Sequence, residues 1–329
     1  MSNKERYEQF CASTYTPIYS KPWWMDAVCG PENWDVWLYE SGGTVLAAMP
    51  YYMEQRGPYR YITKAPLTQN NGIIFKEEPN QKLVTKMEMQ ERIINAACAF
   101  IQSLGLDVYE QQYSPSFQNW LPFFWNNYTA ITRYTYVIEN TSDLDYVMQN
   151  IEKSRRNRIR KGLQKTELHE DMDSHTFYSY NQKIYEKQGL SAPFSEVLWE
   201  NVYSAVQAHK CGKTLFRTDS MGNVACISFV AWDDRYLYKL IGGPMPELSH
   251  LEAHSAMTWN QIELANSLHL QFDFEGSVIK RISKSFREYG GRPMPYFRIR
   301  KVFNPEIVRK EAEDYIKRLQ SEDAEHKFC

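Results

Sequence analysis

The sequence predicts an α/β protein of the α+β kind, built as two tandem domains with mixed, mostly antiparallel sheets. Strand-like alternation and helix-like spacing interleave along the whole chain. The second half reads as strand, two helices, three strands, helix, strand, helix and strand, and the first half repeats the later part of that order. With 329 residues there is enough chain for two ordinary cores.

In the first half, Trp34–Tyr39 alternates as a strand, Ser41-Gly42-Gly43 turns as a hairpin, and Thr44–Met53 returns. A turn at Gly57-Pro58 leads to a strand at Tyr59–Ile62 and then to the polar loop Thr68–Gly72. From about Asn80 to Leu104, Leu83, Met87, Ile94, Ala97 and Ile101 keep helical spacing, and Gly105 serves as the C-cap. A strand at Leu106–Tyr109, a short helix within Ser116–Trp125 and a strand at Arg133–Ile138 close the half. Leu144, Val147, Met148, Ile151, Ile159 and Leu163 predict one crossover helix over 142–165.

The second half continues with a strand at Glu167–Asp171 and a helix at His175–Gln188. The loop Gly189–Phe194 then leads to a helix from Ser195, a good N-cap, to His209. Strands follow at Thr214–Thr218, Val224–Trp232 and Tyr236–Ile241. After a Gly/Pro loop come a helix near 253–268, a strand at Gln271–Glu275, a helix at Val278–Tyr289 and a strand at Met294–Val302. Asn304 as cap and Pro305 in the first turn start a tail helix with Val308, Ala312, Ile316 and Leu319 on one stripe. The expected division is 1–140, 141–303 and a surface helix over 304–329.

Composition narrows the function. Thirty-eight basic against 40 acidic residues exclude a molecule that binds nucleic acid through its overall charge. The amino-terminal residues lack the apolar run of a signal peptide, and no segment approaches the ~18 apolar residues of a membrane span. Six cysteines without CxxC spacing read as reduced thiols. A cytoplasmic protein is therefore expected. Aromatic residues reach 15%, which suits a wide binding groove or simply a tyrosine-rich core.

The segment Gln271–Ser277 carries the sharpest chemical signal. Alternation sets Phe272 and Phe274 on one face and Asp273 and Glu275, roughly 7 Å apart, on the other. At the carboxyl end of a strand, such carboxylates can serve as general base or amine anchor. Their alternative roles are capping the following helix or pairing with Arg281 or Arg287, and Ser277 is the expected N-cap. Gly242-Gly243 allows close backbone approach to a ligand, or is an ordinary turn. In the run Lys153–Lys161, helical spacing aligns Lys153, Arg156 and Arg160 for phosphate contact, or for a solvated face. Gln69 and Asn70 belong to a polar loop that either faces a cleft or only turns. His250 and His254 stand four apart without the H-E-x-x-H order, so no metal is expected. No G-x-S-x-G motif or P-loop occurs.

Several of these pieces together resemble one family. Asp273-Phe-Glu-Gly-Ser277 followed by Phe286-Arg-Glu-Tyr-Gly-Gly291 is similar to the "DFxGS" strand and "FRxFGG" helix end of Fem-related acyltransferases of the GNAT superfamily. Tyr185–Ser195 resembles the family's "RQG" loop, Val230–Asp234 and Tyr236–Gly243 its central hairpin, and Pro22-Trp23-Trp24 and Leu67–Gly72 its landmarks in the first half. The resemblance implies two tandem GNAT-like domains and acyl transfer to an amine of a small molecule or cell-envelope precursor. It implies Glu275, Asp273 and Tyr289 as catalytic residues. It also implies acyl-coenzyme A as co-substrate, held by Gly242, Gly243, His254, Ser255 and Arg287. Gln69, Asn70, Arg156, Arg160 and Gln188 are the implied acceptor contacts. The usual diphosphate-binding glycine loop is absent, and Glu252 stands where relatives have glycine. The alternatives are an aminoacyl-tRNA-dependent transferase of the Fem type and an inactive ligand-binding pair.

Overall fold

Each half of the chain builds the same succession: an antiparallel meander, a helix, and a strand that returns parallel to the meander's last strand. The structure, a computed structural model, describes residues 1–320 apart from Gln188. Its contacts divide into two units, one of Met1–Arg133 with the chain from Pro295 onward, the other of Tyr134–Met294.

The first unit begins with helices α1 (Asn3–Ser13) and α2 (Pro22–Cys29), which precede the first element expected from sequence. α1 is polar, with only Tyr7 and Phe10 buried, so it lacks the apolar stripe that would mark it. A capping box starts it: Ser2 Oγ accepts from Glu5 N at 3.2 Å, and Ser2 N donates back to Glu5 at 2.6 Å. Strands β1 (Trp34–Ser41), β2 (Thr44–Arg56) and β3 (Tyr59–Thr63) form the meander, and β4 (Ile74–Phe75) pairs with β2. Helix α3 (Leu83–Ser103) packs Ile93, Ile94, Ala97 and Ile101 into the core and returns the chain to β5 (Val108–Gln112), parallel to β3. α4 (Leu121–Trp125) and β6 (Thr129–Ile138) follow.

Parallel pairing of β3 with β5 stops at Ile62↔Tyr109, but the chain comes back to β5 further on. Asn71 forms a bridge with Tyr113, and its N–H donates to Gln112 O at 2.6 Å. The loop between is buried: Thr68, Gln69, Asn70 and Asn71 are shielded, and Trp24 Nε1 donates to Thr68 Oγ1 at 3.1 Å. Gly72 sits at φ +95°, where an added methyl would lie 2.8 Å from the Tyr113 ring.

The second unit opens with α5 (Leu144–Asn150) and α6 (Lys153–Lys165), two helices where one was expected over 142–165. Glu152 accepts from Arg155 N at 3.1 Å as the N-cap of α6. The Arg156 guanidinium donates to Gln149 O at 2.8 Å and Ile151 O at 2.9 Å, satisfying the carbonyls at the end of α5. The chain continues through β7 (Glu167–Glu170), α7 (Ser174–Glu186), α8 (Glu196–Ala208), β8 (Gly212–Thr218), β9 (Val224–Trp232) and β10 (Tyr236–Pro244). A 3-10 turn at Pro246–Leu251 precedes α9 (Ala253–Ser267), which returns the chain to β11 (Gln271–Asp273), parallel to β10. Then come α10 (Lys280–Glu288), β12 (Arg292–Val302) and α11 (Pro305–Gln320).

In each unit one strand comes from the other half of the sequence. β11 pairs with β6 through Phe272↔Ile138 and Asp273↔Val137, and β5 pairs with β12 from Val108↔Val302 to Gln112↔Arg298. The contact division therefore runs through β6 and β12, whereas the sequence boundaries at 140/141 and 303/304 fall beyond them. No helix among the described residues is long and apolar enough to cross a membrane.

Replacing Gly72 with Ala should lower unfolding free energy by about 2–4 kcal/mol, combining left-handed strain with the clash against Tyr113. Urea denaturation checks this, and a loss below about 0.5 kcal/mol would show that the loop does not pack as described.

Candidate active site in the second unit

Pairing of β10 with β11 ends at Tyr238↔Asp273. Beyond it, Phe274 N donates to Tyr136 O at 2.9 Å on the β6 side, while β10 runs on to Pro244. Glu275 takes a left-handed φ of +64°, so the alternation expected through Glu275 breaks and the strand stops at Asp273. The two chains part, and a cleft of about 1160 Å³ opens between Lys239–Pro244 and Phe274–Ser277, with α6, α7, α9 and α10 supplying the remaining walls. On β10, Gly242 keeps φ +129° and lies so close to Ile227 and Ser228 that a Cβ would sit 2.7 Å from Ser228 Cα. No other residue fits that wall.

Four ionisable groups define its chemistry. Arg155, buried on the same α6 stripe as Ile159 and Gly162, donates to Glu288 at 2.6 Å, to Ser285 Oγ at 3.1 Å and to Ser255 Oγ at 3.3 Å. Its guanidinium carbon lies 4.9 Å from the centre of the Tyr289 ring. Lys239 donates to Thr258 Oγ1 at 2.8 Å and meets His254 Nε2 at 3.4 Å. Burial pulls its ammonium down to about 8. The charge of Lys239, then burial, then Arg155 hold His254 well below its ordinary range, so the imidazole is neutral. Glu275 is half exposed, but its Oε1 is shut off from solvent with no hydrogen-bond partner, and burial pushes the carboxyl well up. Around the cleft, the side chains of Arg158, Arg281 and Lys284 are exposed.

Of the residues singled out from sequence, Gly242, Gly243, His254 and Glu275 line the cleft. Asp273 does not. It is buried, accepts from Thr135 Oγ1, and takes Glu275 N at 2.7 Å, so it fixes the turn that presents Glu275. Tyr289 is buried beneath Arg155 with its hydroxyl 3.4 Å from Ser255 O, and Ser255 is itself buried behind the wall. Arg287 is exposed and off the wall. Arg156 is engaged by α5 carbonyls, and Arg160 donates to Asn157 at 3.3 Å, also off the wall. Gln69 and Asn70 are buried in the first unit, where Asn70 donates to Gln69 at 3.1 Å, and Gln188 lies outside the described residues. Ser277 accepts from Ile279 N at 3.0 Å in a turn before α10 instead of capping it, because the helix starts only at Lys280. Arg155 and Lys239 were missed from sequence. The signal was there in both: each is a cation at an inward position, Arg155 four before Ile159 and Lys239 two after Leu237.

No protein-family model matches the sequence, and no curated protein sequence matches it. Solved structures do match its fold. The two units have the fold of a tandem GNAT-like protein: a tandem GNAT protein from the clavulanic acid biosynthesis pathway is similar over 91% of this chain and 94% of its own, at TM-score 0.52 and 9% identity. L-PGS from Bacillus licheniformis is similar over 90% of each chain at TM-score 0.51 and 9% identity. FemX is similar over 94% of this chain and 98% of its own, at TM-score 0.69 and 11% identity. The chain has the fold of FemX.

Burial pushes the Asp273 carboxyl up to about 6 from its ordinary 3.8, against the bonds from Thr135 and Glu275 N–H. The folded state thus holds this proton more tightly than the unfolded chain does. Its effect on stability is absent below the unfolded value and becomes unfavourable as pH rises through about 6, by up to ~3 kcal/mol. Asp273→Asn should match the wild type near pH 4 and gain on it by about 2–3 kcal/mol at pH 7. Urea midpoints at the two pH values check this, and a pH-independent difference would reject it.

Proposed function

We propose that the chain is an acyltransferase that moves an acyl group from an activated carbonyl donor to an amine, with the chemistry in the cleft between β10 and β11. The observation that carries this reading is the unpartnered Glu275 carboxyl on the cleft wall, opposite the strand edge left open by β10. A carboxylate of raised basicity can take the proton that an attacking amine must lose. Acyl transfer of this kind requires no covalent nucleophile. The acceptor is a small molecule or a cell-envelope precursor, and the enzyme works in the cytoplasm.

Two donors fit the reaction, an acyl-coenzyme A thioester and an aminoacyl-tRNA ester. The start of α9 favours the second. Glu252 is the N-cap there, and its own carboxylate lies 3.3 Å from Ser255 Oγ. That negative charge occupies the helix end where a coenzyme diphosphate would bind. The exposed cations Arg158, Arg281 and Lys284 instead suit a phosphate backbone passing over the mouth of the cleft.

Binding separates the donors. Replacing Arg158, Arg281 and Lys284 together with Ala should weaken binding of tRNA about 10-fold or more at low salt and lower the salt slope by about 2. Coenzyme A should leave the melting temperature of the wild type unchanged. A clear rise with coenzyme A, and tRNA binding indifferent to the three substitutions, would return the donor to a thioester. Glu275→Gln should reduce turnover by about 10²–10⁴-fold while leaving the melting temperature equal or higher, since burial disfavours the carboxylate. Near-normal turnover would remove Glu275 as the base.

A further inference from the structure

Lys239 stands at the vertex of the cleft, the first β10 residue past the last pair with β11. It occupies an inward position of the strand, two residues from the fully buried Leu237, where the core calls for an apolar side chain. Among the described residues no carboxylate lies within ion-pair distance of it, although Glu275 borders the same cleft. An enclosed cation without an acid partner is destabilising, and such groups are kept where their charge acts on a ligand. Two of its three N–H bonds are directed by α9, to Thr258 Oγ1 and to His254 Nε2. With Nε2 accepting, the His254 proton sits on Nδ1, 4.0 Å from Cys226 Sγ. The third N–H remains for the cleft.

We infer that Lys239 is a catalytic residue of the proposed acyl transfer, on which the inference rests: its ammonium hydrogen-bonds the leaving atom of the donor and protonates it. The amine nitrogen forms its bond to the donor carbonyl carbon, and the tetrahedral intermediate collapses. As the bond from carbon to the leaving oxygen or sulfur breaks, that atom takes its electron pair and a proton from Nζ. The amine nitrogen gives one proton to Glu275, which releases it to solvent, and Lys239 is recharged from solvent, so one proton passes in sum from amine to leaving group. The groups facing Nζ are Cys226 from β9, Arg155 from α6 and His254 with Thr258 from α9. Burial and the positive charge of Arg155 bring the ammonium to about 8, poised to release its proton near neutrality, with Cys226 working the other way.

The test is turnover of the full chain against pH, with alanyl-tRNA as donor and glycinamide as acceptor, and acetyl-coenzyme A as donor in a parallel arm. For the wild type, kcat should fall as pH rises through about 8, because the deprotonated lysine cannot act as acid. Lys239→Met should lose about 10²-fold or more and should lack that descending limb. Thr258→Val keeps the lysine but removes one of its anchors. It should lower kcat with KM little changed, and it serves as the variant of record if Lys239→Met does not fold. A wild type that turns over beside an equally active folded Lys239→Met, or a Thr258→Val with an unaltered rate and pH profile, overturns the inference alone. A wild type that transfers from neither donor overturns the acyltransferase reading and the role of Lys239 with it.

Discussion

The site depends on one interruption in a sheet. β11 can follow β10 only as far as Asp273, because the next amide that would face β10, that of Glu275, is turned onto the Asp273 carboxyl instead. The left-handed turn at Glu275 then prevents the chain from resuming an extended path, and Asp273 holds that turn from below by accepting the Glu275 N–H. β10, free of a neighbour, presents Lys239 and Gly242-Gly243 to the gap. An exposed strand edge normally invites unwanted pairing. Here the edge lies inside a cleft walled by helices, and its unsatisfied backbone groups are available to a bound molecule.

The same motif occurs in the first unit with the opposite outcome. β3 and β5 also pair in parallel across a helix and also part company, after two registered pairs where β10 and β11 have three. There the connection after β3 folds back and re-pairs through Asn71, with Gly72 pressed on Tyr113 and Thr68 held by Trp24. In the second unit the corresponding connection becomes the 3-10 turn at Pro246–Leu251 and leads straight into α9. One copy of the motif fills its gap with its own chain; the other leaves a space for something else. The buried amides of Gln69 and Asn70 are thereby understood as parts of a plug.

Much of this was legible in the sequence because the second half follows period and punctuation closely. Strands β8, β9 and β10 are runs rich in β-branched, aromatic and aliphatic residues between turns, Ser195 caps a helix, and Gly290 and Gly291 follow the end of another. Local rules did less well where tertiary partners decide. The break at Glu152 that splits a continuous apolar pattern into two helices has a tertiary partner, the carbonyl of Glu288, to which the Glu152 N–H donates at 2.8 Å. Asp273 and Glu275 were read as equals on one strand face, yet a single φ value separates them into a buried prop and a cleft residue. The basic run on α6 was aligned through Lys153, Arg156 and Arg160 as a phosphate face. The position that lines the cleft is Arg155, hidden in the apolar stripe, because a helix buries its face without regard to the charge of one member that finds a partner in Glu288.

The exchange of terminal strands bears on how the chain is made. During synthesis the first half emerges with β5 lacking its antiparallel neighbour, since the residues that pair with it, Arg298–Val302, come only after those of the second unit. β6, meanwhile, emerges long before β11, its partner in the other sheet. Neither unit has all its strands until β11 and β12 have been made, so the nascent polypeptide carries open edges while the second half is synthesised. Such long-range pairing slows folding. A chain cut before β12 would keep every other strand of the first unit and still leave β5 without the partner that runs along Val108–Gln112.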